Sequence, residues 1–383
     1  MTRLNQRRQS SLFRRRLPRQ STTVNGMFAG NDYLSLSQHP EVIAAAQQAL
    51  NDWGAGSSGS PLLSGYCLQH QALEQELAEW LGVQRTLLFN SGFAANHGVL
   101  TTLPESGTIH FDRLSHASLI DGIRHSKKRF KRFHHNALHE LNANPGDWLV
   151  TEGTFSMDGD RAPAAALATT VAEQKLNLIL DDAHGLGVWN SAGLGSFASL
   201  NKQTRLLTGT FGKAFGVAGA FVAGNDDDIE TLVQFCREYI YSTAFPPSQA
   251  AAIRASLAII RSDEGERRRQ QLAQHIDRFK SYMRQAGLAT IDSDSPIQTW
   301  VIGDDEAVMT AAQLLREQGI WVSAVRPPTV PAGTSRIRIS LQSGHTQQHL
   351  KALTQALDKV AQQLPSHVLN HAPNQTPSQG VAE

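Results

Sequence analysis

Two spacings of apolar residues alternate along this chain. Short continuous apolar runs recur between stretches in which apolar side chains return every three or four positions, and these two periods mark strands and helices. Helical spacing predicts helices over residues 41–50, 71–81, 94–103, 116–125 and 164–174, with Leu73, Leu77, Trp80 and Leu81 sharing one face of the second. Short apolar runs predict strands over 86–89, 108–111, 148–151, 178–180, 205–208 and 220–223. Apolar strands separated by helices imply an α/β fold with a largely parallel sheet covered on both faces. Ligands of such sheets sit beyond the carboxyl ends of the strands.

The flexible stretch from Gly54 to Ser60 reads as a loop. After Pro246-Pro247 a helical stretch reaches about Ile260, and the charged run 261–269 that follows reads as an exposed segment at a domain boundary. The expected organisation is an N-terminal segment 1–40, a large domain 41–260 and a smaller C-terminal α/β domain 261–364. Strands of the smaller domain are expected over 298–302, 321–324 and 336–341. The polar tail 365–383 has the composition of a disordered segment.

Composition narrows the class. The chain has 383 residues, 40% of them hydrophobic, and a net charge of +1, values ordinary for a globular protein with no field aimed at nucleic acid or acidic lipid. Two cysteines, Cys67 and Cys236, are too few for a disulfide framework or a zinc site, which suits a reducing cytoplasm. No apolar run approaches the roughly 20 residues that span a bilayer. Seven arginines and no acid occupy the first nineteen residues. That composition resembles a mitochondrial transit leader, yet Arg14 is read below as part of the working protein. The basic run from Lys127 to His135 reads as a solvated face, with docking of an acidic acyl carrier protein as its best functional use.

Candidate chemistry gathers at predicted strand ends. Thr208-Gly209-Thr210-Phe211-Gly212-Lys213-Ala214-Phe215-Gly216 sets one lysine among glycines after an apolar run, and Leu178-Ile179-Leu180-Asp181-Asp182-Ala183-His184 ends another run in two acids and a histidine. An amine nucleophile and a carboxylate so placed suit a cofactor with an aldehyde and a basic ring nitrogen, and pyridoxal 5'-phosphate has both. A carboxylate about 4 Å from a pyridinium gains about 4 kcal/mol at an effective dielectric near 20. That is about three pKa units, enough for Asp181 to keep the ring nitrogen protonated. His184, three residues on, is near enough for the ring oxygen. Asn90-Ser91-Gly92-Phe93-Ala94-Ala95-Asn96 joins strand to helix, so the free amides of Gly92 and Phe93 fit a phosphate. His116, at a helix start, can lie flat on a ring, and Ser156, past another strand, can donate to a ring oxygen.

Together these segments resemble the α-oxoamine synthases. These are fold-type I, aspartate aminotransferase-like pyridoxal-phosphate transferases that join an amino acid to an acyl thioester with loss of carbon dioxide. The resemblance runs from about Arg14 to Leu341. It rests on Asn31-Asp32-Tyr33-Leu34, Ser91-Gly92-Phe93, Asp112-Arg113-Leu114-Ser115-His116-Ala117-Ser118, Asp181-Asp182-Ala183-His184-Gly185 and Thr210-Phe211-Gly212-Lys213. It implies a large domain with a mostly parallel seven-stranded sheet and a homodimer with shared active sites. Lys213 would hold the cofactor aldehyde and act as base, and His116 would stack on the ring. Asp181 would pair with the ring nitrogen, and Ser156 and His184 would address the ring oxygen. Gly92, Phe93 and Thr210 would hold the phosphate, with Ser242 and Thr243 supplied by a second subunit. Arg338 would take the amino acid's carboxylate, Asn31 and Thr329 would line the substrate site, and Arg14 would face the acyl chain.

Arg326-Pro327-Pro328-Thr329-Val330-Pro331-Ala332-Gly333-Thr334 looks most like the biotin-pathway branch, which condenses L-alanine with a pimeloyl group carried on coenzyme A or acyl carrier protein. The alternative within the family is a glycine-using member making 2-amino-3-oxobutyrate or 5-aminolevulinate. A nicotinamide-dependent dehydrogenase is disfavoured because no Gly-x-Gly-x-x-Gly follows a first strand. One departure from the family stands out: Ser35 follows Asn31-Asp32-Tyr33-Leu34 where the family usually has glycine.

Overall fold

The computed structural model describes residues 2–9, 13, 16–18 and 26–365, and of residues 3, 8 and 9 the backbone alone. Arg14 and the tail beyond 365 lie outside the described residues. The elements in chain order are α1 (Arg3–Gln9), α2 (Pro40–Trp53), α3 (Leu68–Leu81), β1 (Arg85–Phe89), α4 (Gly92–Thr102), β2 (Ile109–Asp112), α5 (Ala117–His125), β3 (Phe130–Phe133) and β4 (Trp148–Glu152). They continue with α6 (Ala164–Gln174), β5 (Asn177–Asp181), β6 (Thr204–Thr210), β7 (Ala220–Gly224), α7 (Asp226–Phe235), α8 (Arg237–Ile240), α9 (Pro247–Ile260) and α10 (Asp263–Gln285). The last are β8 (Ile297–Gly303), α11 (Asp305–Glu317), β9 (Ser323–Val325), β10 (Ser335–Ser340) and α12 (Gln347–Gln363).

The chain divides into two compact units, one of residues 31–156 and 161–271, the other of 1–30, 157–160 and 272–383. The division falls inside α10, after Gln271, where the sequence suggested a boundary after residue 260. Most of the charged run, residues 263–269, is not a connector but the first part of a 23-residue helix, with Arg261 and Ser262 exposed just before it. Its charges pair along the helix, Glu264 with Arg268 and Glu266 with Arg269, and Arg269 also donates to the Ile260 carbonyl. Pairs spaced by three or four residues support a helix where the same residues unpaired would favour a solvated loop.

The first unit holds a seven-stranded sheet in the order β1-β7-β6-β5-β4-β2-β3. Strands β6, β5, β4, β2 and β3 are mutually parallel, and β7 is antiparallel to both neighbours. Because β7 is the only reversed strand, β1 and β6 point the same way, and the carboxyl ends of six strands share one edge. Residues Leu178, Ile179 and Leu180 of β5 are fully buried. Each such side chain contributes about 1.5–3 kcal/mol relative to exposure, which explains why a continuous apolar run forms an inner strand.

The basic run Lys127–His135 is largely exposed, as expected of a solvated face, but it also supplies the seventh strand, β3, which the search for apolar runs did not predict. Phe130 to Phe133 pairs in parallel with β2, with Phe133 buried and Phe130, Lys131 and Arg132 exposed. A strand at the sheet border needs only one inward anchor, so its charged residues hide it from a search for apolar runs.

In the second unit, β8, β10 and β9 form an antiparallel sheet with β10 in the middle. The predicted strand over 321–324 lies at Ser323–Val325, while Trp321 instead bridges to Met27. Trp300, Ile337 and Ile339 fill this unit's core beside Leu315 and Leu353.

Candidate active site

Sheet register sets the site. Phe89 at the end of β1 lies opposite Ala220, and Ala220 lies opposite Thr210 at the end of β6. The turn after β1 is thereby brought beside the turn after β6, although 120 residues of chain separate Asn90 from Thr210. Glu152, Asp181 and Thr208 form a second row across β4, β5 and β6.

At the first row, Ser91 caps α4 by accepting from the Ala94 N–H at 3.2 Å. The Gly92 and Phe93 amides occupy the first helical positions, where no intrahelical acceptor exists. A side chain on Gly92 would point at Thr210, about 3.8 Å from its Cβ, and the Gly212 amide donates to Thr210 Oγ1 at 3.3 Å. Gly92, Thr210 and Gly212 therefore line one amide-rich recess. Asn90 Nδ2 donates to the Thr243 carbonyl at 2.8 Å, so Ser242 and Thr243 sit beside the same turn.

At the second row, Asp181 is 7% exposed and its carboxylate is held from two sides. Oδ1 accepts from the Ala183 N–H at 3.0 Å and Oδ2 from Asn96 Nδ2 at 2.7 Å. Asn96 donates also to Ser118 Oγ at 3.0 Å and accepts from Thr208 Oγ1 at 2.7 Å. His116 caps α5, its Nδ1 accepting from the Ser118 N–H at 3.2 Å. Its backbone N–H donates to Glu152 Oε1 at 2.6 Å. Packing against the ring pushes the His116 pKa down; the charge of Asp181 pulls it up and that of Lys213 pushes it further down. Glu152 is buried, which raises its pKa well above the usual range, Asp181 adding to the rise and Lys213 opposing it. These mutual effects place the half-buried Lys213 with His116, Asp181 and Glu152.

His184 follows β5 and is buried, its Nδ1 2.7 Å from Tyr33 Oη. Tyr33 also donates to Asn31 Oδ1 at 3.3 Å. The turn that carries Tyr33 is closed by Asp32, which accepts from the Leu36 and Ser37 amides. It presses on the lysine turn at Gly216, where an added Cβ would lie 2.3 Å from the Ser37 nitrogen and φ is +69°. Ser35 has φ +54°, a left-handed conformation that favours glycine, so serine is accommodated there under strain.

Lys213, His116, Asp181, His184, Gly92, Phe93, Thr210, Ser156, Asn31, Ser242 and Thr243 all belong to the first compact unit. Thr329 and Arg338 belong to the second, where Thr329 is exposed in the loop before β10 and Arg338 is buried on that strand, donating to Ser340 Oγ at 2.9 Å. Sequence reasoning missed Asn96, Ser118, Glu152 and Tyr33 as members of the site. Three of them lie inside quoted motifs without an assigned role, and Glu152 carried one usable signal, an acid closing a wholly buried strand.

The donor set fits pyridoxal phosphate: a buried carboxylate clamped for a ring nitrogen, an amide recess for a phosphate, a half-buried lysine among glycines and a histidine at a helix start. The chain belongs to the aminotransferase class I and II family, whose model matches residues 27–357. It is a fold-type I, pyridoxal-phosphate-dependent enzyme. It is 47% identical over 337 residues to the 8-amino-7-oxononanoate synthase of Enterobacter sp. (strain 638), covering 86% of this chain and 88% of that protein. Among solved structures it resembles an 8-amino-7-oxononanoate synthase from Francisella tularensis, with TM-score 0.77, 29% identity and coverage of 90% of this chain and 98% of that one. A serine palmitoyltransferase from S. paucimobilis, bearing a PLP–myriocin adduct, superposes with TM-score 0.85 at 26% identity over 90% of this chain and 92% of that one.

Proposed function

We propose that the chain catalyses the decarboxylative condensation of L-alanine with a pimeloyl thioester, giving 8-amino-7-oxononanoate, carbon dioxide and the free thiol carrier. It is an 8-amino-7-oxononanoate synthase activity, a pyridoxal-phosphate-dependent acyl transfer in biotin synthesis. The observation that carries this reading is the convergence of Lys213, His116 and Asp181 at adjacent strand ends in a chain so similar to a synthase of that name.

Bound pyridoxal phosphate supplies an electron sink for the α-carbon of the amino acid. Gly92, Phe93 and Thr210 hold its phosphate, joined by Ser242 and Thr243 of the partner subunit in a homodimer. Asp181, fixed by Asn96 and the Ala183 amide, keeps a proton on the ring nitrogen. His116 would cover the ring face, and Ser156 and His184 would address the ring oxygen. Lys213 Nζ would hold the cofactor aldehyde, and the same amine, when free, would take the α-proton of L-alanine and return a proton to the product. Arg338 binds the alanine carboxylate until it leaves as carbon dioxide, with Asn31 and Thr329 along the substrate, and Arg14 reads the distal carboxylate of the pimeloyl chain. The acyl carrier is coenzyme A or acyl carrier protein. Among the described residues no helix is long and apolar enough to cross a membrane, and both cysteines are free thiols; we place the enzyme in the cytoplasm.

The test offers the cofactor-loaded chain L-alanine or glycine together with pimeloyl-CoA or pimeloyl-acyl carrier protein, with products read by mass spectrometry. 8-Amino-7-oxononanoate formed from alanine supports the reading. A glycine-derived aminoketone as the main product overturns it in favour of a glycine-using relative.

A further inference from the structure

We propose that Asn96 and Ser118 are positioning residues that transmit the ionised state of Asp181 to the ring of His116, fixing Nδ1 as a hydrogen-bond acceptor and Nε2 as the donor. The inference rests on the proposed function only for the roles of Asp181 and His116.

The direction of each hydrogen bond follows from what the groups can do. Ionised Asp181 has no hydrogen to give, so the contact of 2.7 Å between its Oδ2 and Asn96 must use an amide N–H. This orients the Asn96 amide, and its carbonyl end takes the Thr208 hydroxyl at 2.7 Å. The second amide hydrogen is directed to Ser118 Oγ at 3.0 Å. With its oxygen engaged as acceptor, the Ser118 hydroxyl turns its own hydrogen to His116 Nδ1, 2.7 Å away. The Ser118 backbone N–H, which can only donate, meets the same nitrogen at 3.2 Å. Two donors on Nδ1 leave it no hydrogen of its own.

Asn96 and Thr208 are 3% and 2% exposed and Ser118 is fully buried, so water does not substitute for any of these bonds. A protonated Nδ1 would face the Ser118 N–H and strand the Ser118 hydroxyl hydrogen, a cost comparable to an unmade buried hydrogen bond. The charged groups around the ring are Asp181 on β5, Lys213 on the turn after β6 and Glu152 at the end of β4. The hydrogen bonds of the Asn96 side chain go to Asp181, Ser118 and Thr208. Its influence passes through the orientation of the Ser118 hydroxyl.

The test is nitrogen NMR of the full-length chain labelled at histidine, with His116 assigned by His116→Gln. In the wild type Nδ1 reads as unprotonated and Nε2 as protonated at neutral pH. Ser118→Ala moves the Nδ1 resonance toward that of an acceptor with fewer donors and raises the His116 titration midpoint by about 0.5–1 pH unit, about three- to tenfold in its protonation constant. Asn96→Ala does the same from a distance. The double variant moves no further than either single one, because the two residues act in series. Thr208→Val, which keeps shape and frees the far end of the Asn96 amide, gives a smaller change of the same sign and serves if Asn96→Ala fails to fold. A protonated Nδ1 in the wild type overturns the inference, and so does additivity in the double variant. It is equally overturned if His116 responds to Ser118→Ala but not to either variant at Asn96 or Thr208. None of these readings needs turnover, so failure here is separable from failure of the proposed reaction.

Discussion

Tyr33 Oη lies 2.7 Å from His184 Nδ1, joining the N-terminal turn of the large unit to the strand that carries Asp181. Tyr33 is fully buried, and the phenol is a fixed partner for one ring nitrogen of a histidine that would otherwise rotate. Tyr33→Phe keeps the ring and removes that partner, at a cost of about 1 kcal/mol or more. Affinity for pyridoxal phosphate is expected to fall about fivefold or more, with a lower unfolding midpoint, as read by cofactor absorbance titration and urea denaturation. Unchanged affinity would show that the phenol does not set the position of His184.

Lys213→Ala removes the amine whose charge acts on both His116 and Glu152. The chain is expected to fold and to bind the cofactor loosely, with no adduct after borohydride reduction. Loss of its general base costs about 10²–10⁴ in rate, in addition to loss of the covalent anchor. Peptide mapping after reduction checks this: cofactor label at wild-type yield in the variant would move the anchor elsewhere.

Ser35 occupies a left-handed backbone conformation, so residue size at the β-carbon matters more here than its chemistry. Ser35→Val should destabilise the chain by about 1–2 kcal/mol, since a branched β-carbon tolerates positive φ poorly. Ser35→Gly should lie within about 1 kcal/mol of the wild type. Urea midpoints for the two variants decide it; a valine as stable as glycine would mean that the turn refolds.

Asp182 gives a pH dependence with a definite sign. Burial, partly offset by the amides of Phe197 and Ser196, raises its pKa to about 7. Its Oδ1 and the hydroxyl of Ser196 are both buried without a hydrogen-bond partner, and both flank the Gly153 α-carbon. A proton on Oδ1 can bridge them. The folded state then holds this proton over a range in which the unfolded carboxyl, titrating near 4, has lost it. Stability from this group is therefore present at low pH and lost as pH rises through about 7. Asp182→Asn supplies a permanent hydrogen at that position. Its unfolding midpoint should match the wild type near pH 4 and exceed it by a margin that grows from there to about pH 7, and equal slopes of stability against pH for the two proteins would refute the assignment.

The parallel strands β2, β4, β5 and β6 were legible because burial on both faces makes each a continuous apolar run, and the residues that follow them carry unusual chemistry. The edge strand β3 was not legible, because Lys131 and Arg132 erase the apolar signal that one-sided burial would leave. The start of α10 was obscured in the same way, its pairing visible only once Arg268 and Arg269 are seen beside Glu264 and Glu266. In the site, groups that meet a cofactor were readable from their position after strands. Asn96 and Ser118 were not, since a polar residue within a helix betrays its partner only through register with another element. Tyr33 looked like part of a motif, and its contact with a residue 151 positions away is a property of the fold.

The two borders of the seven-stranded sheet are closed by different means. On β1, the Leu88 N–H that would await another strand is taken by the Glu74 carboxylate of α3 at 3.1 Å, a half-buried acid whose pKa desolvation raises to about 7. On β3, nothing comparable is needed, since Lys131 and Arg132 repel the same border of a second molecule. The protection is therefore chemical on one side and electrostatic on the other, and it fails differently. High salt screens β3 without touching β1, whereas loss of the Glu74 side chain uncovers β1 at any ionic strength. Self-association that grows with salt would thus proceed from the β3 border, and a concentrated stock of this enzyme would keep best in dilute buffer.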